Sequence, residues 1–134
     1  EPRSQLARGR HHLQVLLVLA VREVDAHDVR AGAFVLEMAN PRHEHEWRVW
    51  EEVKLPKEKV LVPGVVGHAT DIVEHPQVIA DRLVRYAKLV GRENVMAGTD
   101  CGLGPRVGDP KIAWAKFEAM AEGARLATRQ LWGR

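Results

Sequence analysis

Four side chains stand where folded chains often do chemistry. Cys101, the only cysteine among 134 residues, directly follows Asp100, and the pair comes just after the apolar run 95–97 and the small residues Gly98 and Thr99. Glu37 closes a second apolar run, 31–36, and His68 lies just past a third, 59–66, in a glycine-rich stretch. A thiolate, a carboxylate and an imidazole are all donors for zinc, a borderline-soft ion that accepts S, O and N. No CxxC or HExxH spacing ties them together, so the same residues also suit a plainer reading, an inert buried cysteine beside an aspartate that caps a turn. Other histidines make poorer clamps. His43 and His45 are two apart, about 200° around a helix, and the neighbours His11 and His12 point to opposite faces of a strand.

These side chains need elements that bring them to one place. The run 31–36 is short, apolar and partly β-branched, and Pro41 stops its continuation. The segment 43–53 has a helical composition, with Trp50 and Val53 on one face, and reads as a solvated helix with an aromatic anchor. A strand over 59–66 leads to His68. Pro76 then opens a helix whose stripe is Ile79, Leu83, Tyr86 and Val90, and Gly91 ends it. The run 95–97 is the next strand. Asp109 and Pro110 are an N-cap and first helical residue, and Trp114, Phe117, Ala121, Ala124, Thr128 and Leu131 mark the face of the last helix expected to lie on the sheet.

From residue 31 the order is therefore strand, helix, strand, helix, strand, helix. Such alternation predicts an α/β fold with a parallel sheet covered by helices. In parallel sheets function gathers at the carboxyl ends of the strands, where Glu37, His68 and the Asp100-Cys101 pair all fall. The first 29 residues are less legible: 15–21 is an apolar run without a clear period, a buried strand or a short helix.

Composition narrows the function classes. A net charge of +2 without a basic stripe interleaved with aromatics excludes a nucleic-acid footprint. The longest apolar run is far shorter than the ~20 residues of a membrane span. One cysteine allows no internal disulfide, and a reducing cytoplasm is the expected location.

The residues from Phe34 to Thr128 resemble the carboxyl-terminal end of the catalytic barrel of the cobalamin-independent methionine synthase family, including its short single-barrel relatives. The matching pieces are Val35-Leu36-Glu37 with Ala39-Asn40-Pro41-Arg42, then Pro63-Gly64-Val65-Val66 with His68. Thr99-Asp100-Cys101-Gly102-Leu103 follows, and then Glu122-Gly123-Ala124-Arg125 within the last helix. Residues 1–29 do not match, so the chain divides into a non-matching segment, 1–29, and a partial barrel domain, 30–134.

The resemblance implies the carboxyl-terminal part of a (β/α)8 TIM barrel, with parallel strands alternating with helices and the barrel incomplete in this chain. It implies a zinc-dependent methyltransferase that moves a methyl group from 5-methyltetrahydrofolate, as its polyglutamate, to a thiol such as homocysteine. Glu37 and Cys101 fall on zinc ligands, Asp100 and Glu37 on substrate contacts, and His68 on a histidine of the acid–base chemistry. Two departures are plain. Gly67 stands where the family carries an acidic residue, and the family's other zinc ligands, a histidine and a cysteine one residue apart, have no counterpart pair here. His11, His12 and His27 are the substitutes on offer. The alternative is a catalytically inactive barrel fragment that acts only through association with another chain, since three or four strands leave open sheet edges.

Overall fold

The computed structural model describes residues 30–104 and 106–133. The run 15–21 and His11, His12 and His27 lie outside these residues.

Three parallel strands form the centre, in the order β1 (Ala33–Leu36), β2 (Val60–Val66), β3 (Gly98–Thr99). β2 is the apolar middle strand of the sheet, and Leu61, Val65 and Val66 are fully buried. Pro63 sits within it, although proline has no N–H to give to a ladder. Pro63 is the last partner of β1, opposite Leu36, and the register toward β3 shifts between Gly64 and Val66. Pairing with β1 thus stops at Leu36, and the residues that follow it turn over the sheet edge.

β3 differs from expectation. Of the run 95–97, Val95 forms an isolated bridge to Leu61 and the Met96 N–H donates to the Leu61 carbonyl at 3.0 Å, while the strand itself falls on Gly98–Thr99. Close approach is the reason: a Cβ on Gly98 would stand 2.8 Å from Val62 Cγ1.

The segment expected as one solvated helix is a 3-10 turn, Glu44–Arg48, that runs into the short α1 (Val49–Glu52). It is less solvated than its composition suggests. Trp50 and Val49 are buried, and so is Glu46, which lies 3.0 Å from His43 Nδ1. Trp50 joins Met38, Leu61 and Tyr86 in one core cluster, with Val53 packed against it.

α2 (Pro76–Val90) starts and stops as its sequence predicts. The His75 side chain accepts from the Gln77 N–H, and Gly91, at φ 100°, takes a conformation that side-chain-bearing residues rarely adopt. Ile79, Ala80, Leu83, Tyr86 and Ala87 form its buried face. α3 (Pro110–Trp132) is capped by Asp109, which accepts from the Lys111 N–H at 2.7 Å.

The buried face of α3 corrects the sequence reading. Lys116, Ala119, Gly123 and Ala127 point inward, whereas Trp114 is 69% exposed and Phe117 41%. The two rings instead meet edge to face at 6.1 Å on the outside. Small side chains win the inner face because α2 lies very close. A Cβ on Gly123 would sit 2.5 Å from Ile79 Cγ2 and 2.8 Å from the Pro76 carbonyl oxygen. Gly123→Val is therefore expected to destabilise the chain by about 2 kcal/mol or more, since overpacking against a backbone atom outweighs the few tenths gained in helix propensity. Urea unfolding would check this, and unchanged stability would show that the helices can separate freely.

The architecture is thus α/β with a parallel sheet, as expected. Among the described residues the sheet has three strands and does not close into a barrel.

Candidate metal centre

Because the strands are parallel, their carboxyl ends share one edge of the sheet. Glu37 is the first residue after β1, Asp100 the first after β3, and His68 the second after β2. A carboxylate oxygen of Glu37, one of Asp100 and a ring nitrogen of His68 all lie within 4.8 Å of one another. The sheet has gathered three of the four residues singled out from the sequence.

Asp100 is the best anchored of them. Its N–H donates to the Val66 carbonyl at 2.9 Å. Its Oδ1 accepts the Met38 and Ala39 N–H groups, both at 2.7 Å, and its Oδ2 accepts Asn40 Nδ2 at 2.9 Å. One buried carboxylate therefore ties the turn after β1 to the end of β3, across β2. Gly64 makes the room, since a Cβ there would collide with Asp100 Oδ1.

Asn40 serves both acids. Besides Asp100, its Nδ2 donates to Glu37 Oε2 at 3.2 Å, and His43 Nε2 stands 3.9 Å from that same oxygen. A side-chain amide has two N–H groups, so neither bond excludes the other. Glu37 itself is only partly buried.

His68 is 7% exposed, and its Nδ1 is buried without a hydrogen-bond partner. An unmade bond of this kind is costly in a protein interior. The loop behind it is held by Glu74, whose Oε1 accepts the Gly67 N–H at 2.7 Å and whose Oε2 pairs with Lys116 Nζ at 3.0 Å. Burial pushes the Tyr86 phenol above its ordinary value, against the opposing pull of the Arg85 and Arg82 charges, while Glu44 and Asp100 add to the rise.

Cys101 stands apart from this group. It is exposed, its carbonyl accepts from Thr99 Oγ1 at 2.9 Å, and the converging donors are those of Glu37, His68 and Asp100. The sequence assigned no role to Asn40 and Gly64, although both lie in matching pieces, or to Glu74 and Lys116. Lys116 left a periodic signal, a cation at i, i+3, i+7 and i+11 with the small residues Ala119, Gly123 and Ala127.

The donor set suits a divalent cation. Two carboxylates this close repel each other unless a positive charge lies between them, and an imidazole with a spare lone pair completes a three-ligand set. Three protein ligands with further positions open is the arrangement of catalytic rather than structural zinc. An O,O,N set would equally accept manganese or iron.

No family model matches the chain. A methionine synthase of Thermococcus kodakarensis is 28% identical to it over 104 residues, which is 78% of this chain and 29% of that protein. A B12-independent methionine synthase from a Shewanella species, solved in complex with selenomethionine, shares its fold with a TM-score of 0.70 at 23% identity. That likeness covers 84% of this chain and 32% of the other. The chain spans about a third of the length of either protein. No helix among the described residues is long and apolar enough to cross a membrane.

Proposed function

Taking the chain as a short relative of the B12-independent methionine synthases, we propose that it is a zinc-dependent methyltransferase that moves a methyl group from 5-methyltetrahydrofolate to the thiol of homocysteine, in the cytoplasm. The observation that carries this reading is the convergence of Glu37, His68 and Asp100 at three adjacent strand ends, within a segment similar to methionine synthase.

Glu37, His68 and Asp100 would hold the zinc, and the exposed Cys101 thiol, one residue from Asp100, would add a fourth donor. Bound there, zinc would supply the Lewis acidity that keeps an acceptor thiol as its nucleophilic thiolate at neutral pH. Asn40 would keep both carboxylates aimed inward while a substrate enters. Glu37, the most accessible of the three, is also the carboxylate placed to meet the amino group of an amino-acid acceptor. The methyl on a tertiary folate nitrogen is a poor electrophile until that nitrogen is protonated and can leave as a neutral secondary amine, so methyl transfer from folate also needs a proton donor, and His68 is the imidazole at hand. His68 cannot be ligand and proton donor through the same nitrogen. The unpartnered Nδ1 favours the ligand role.

The test is the zinc content of the chelator-washed chain, followed by transfer of labelled methyl from 5-methyltetrahydrofolate to homocysteine. About one zinc per chain together with labelled methionine supports the reading, and a chain that takes up no zinc sinks it. Because three donors converge without Cys101, Cys101→Ser is expected to weaken zinc binding at least tenfold without abolishing it, as measured by chelator competition. Unchanged affinity would remove Cys101 from the ligand set.

A second reading has its own observation. Among the described residues β1 and β3 each pair on one side only, and Val35 on β1 is 67% exposed. Open parallel edges of this kind favour association. A chain that self-associates in sedimentation while taking up no zinc would be an inactive barrel fragment that acts through another chain.

A further inference from the structure

Lys116 heads the fully buried side chains, at 0% exposure, and it is a cation on a helix face otherwise made of small residues. Its Nζ donates to the Ile72 carbonyl and pairs with Glu74 Oε2. The other oxygen of Glu74 accepts the Gly67 N–H. Glu74 thus has one oxygen committed to α3 and one to the Val66–Gly67 peptide, just ahead of His68. Stability does not account for such a pair, because apolar residues of similar volume would pin the loop to α3 as well or better. A charge-assisted bond to a backbone N–H adds direction. It fixes the Val66–Gly67 peptide, one residue before His68, and so the direction in which the chain enters that residue. The fit is close: a Cβ on Gly67 would stand 3.3 Å from Glu74 Oε1. The ring needs this help, since its buried Nδ1 has no partner to orient it.

We propose that Glu74, locked by Lys116, is the positioning residue that aims His68 at Glu37 and Asp100, acting through the Gly67 peptide. The metal-binding part of this inference rests on the reading given above. Partners behind a ligand are typically worth 10–100-fold in metal affinity.

Two double variants separate direction from mere packing, and neither leaves an unpaired buried charge. Glu74→Gln with Lys116→Met keeps an acceptor oxygen for the Gly67 N–H, while Glu74→Leu with Lys116→Met has none. Two readouts apply. One is the set of NMR contacts between the His68 ring protons and the Asp100 side chain in the metal-free chain; the other is affinity for Co²⁺ with its visible absorption band. The Gln variant is expected to keep the ring contacts and to bind Co²⁺ within about threefold of the parent chain. The Leu variant is expected to lose the ring contacts, to bind at least tenfold more weakly and to shift the band. Identical ring contacts in the two variants would overturn the proposal. If the parent chain itself takes up no metal, the metal reading fails, and the ring contacts still decide whether Glu74 positions His68.

Discussion

Asp100→Ala is expected to cost about 3 kcal/mol or more of stability and to remove metal binding in the same step. The carboxylate accepts two backbone N–H groups from the turn after β1 and a side-chain amide, all at 2.7–2.9 Å. Alanine leaves those donors facing a cavity, and a buried donor without a partner costs roughly 1–3 kcal/mol. Because that turn carries Glu37, its release also separates the two acids. Asp100→Asn is the milder test. Its carbonyl oxygen still accepts the Met38 and Ala39 N–H groups, but its amide faces the amide of Asn40, donor against donor, so an intermediate loss of about 1–2 kcal/mol is expected. Urea unfolding and zinc titration of both variants check this. Parent-like stability in Asp100→Ala would mean that the strand ends are held together by something other than this carboxylate.

His68→Leu is expected to behave in the opposite way. It should leave the metal-free chain as stable as the parent, or more stable by up to about 1 kcal/mol, because it replaces a buried nitrogen lacking a partner with a side chain that needs none. It should also weaken zinc binding by about a hundredfold or more, since one of three converging donors is gone. The contrast between the two variants is itself diagnostic. Under the proposed reading, Asp100 would serve fold and site together, whereas His68 would bear a cost in the fold for the sake of the site. Retained zinc with lost methyl transfer in His68→Leu would instead make His68 the proton donor.

Both predictions concern residues that stand out in the sequence, yet their roles separate only in three dimensions. Polar residues just after apolar runs mark Glu37, His68 and Asp100 because strand ends are local events. That their donor atoms come within 4.8 Å follows from pairing across gaps of about 30 residues, which no local pattern encodes. Cys101 shows the limit of adjacency. Sharing a strand end with Asp100 does not bring its side chain into the same cluster, because the chain bends at both residues just after β3 and leaves Cys101 at the surface.

By itself the sequence determined the order of strands and helices, the starts of α2 and α3 at Pro76 and Pro110, and the chemical residues at parallel strand ends. These rest on signals a few residues long: periodicity, prolines at first helical turns and a glycine at a C-cap. Tertiary structure alone decided which face of α3 is buried, where β3 begins and how the site is braced. In each case a close approach between distant segments chose the residue. Gly123 lies under Ile79, Gly98 beside Val62 and Gly64 beneath Asp100, positions where a single Cβ would not fit. Trp114 and Phe117 were consequently turned outward, against the usual ranking of side chains by apolarity, because the most deeply buried stripe of α3 holds small residues and the one lysine that Glu74 neutralises, with Met120 and Leu126 packed beside it.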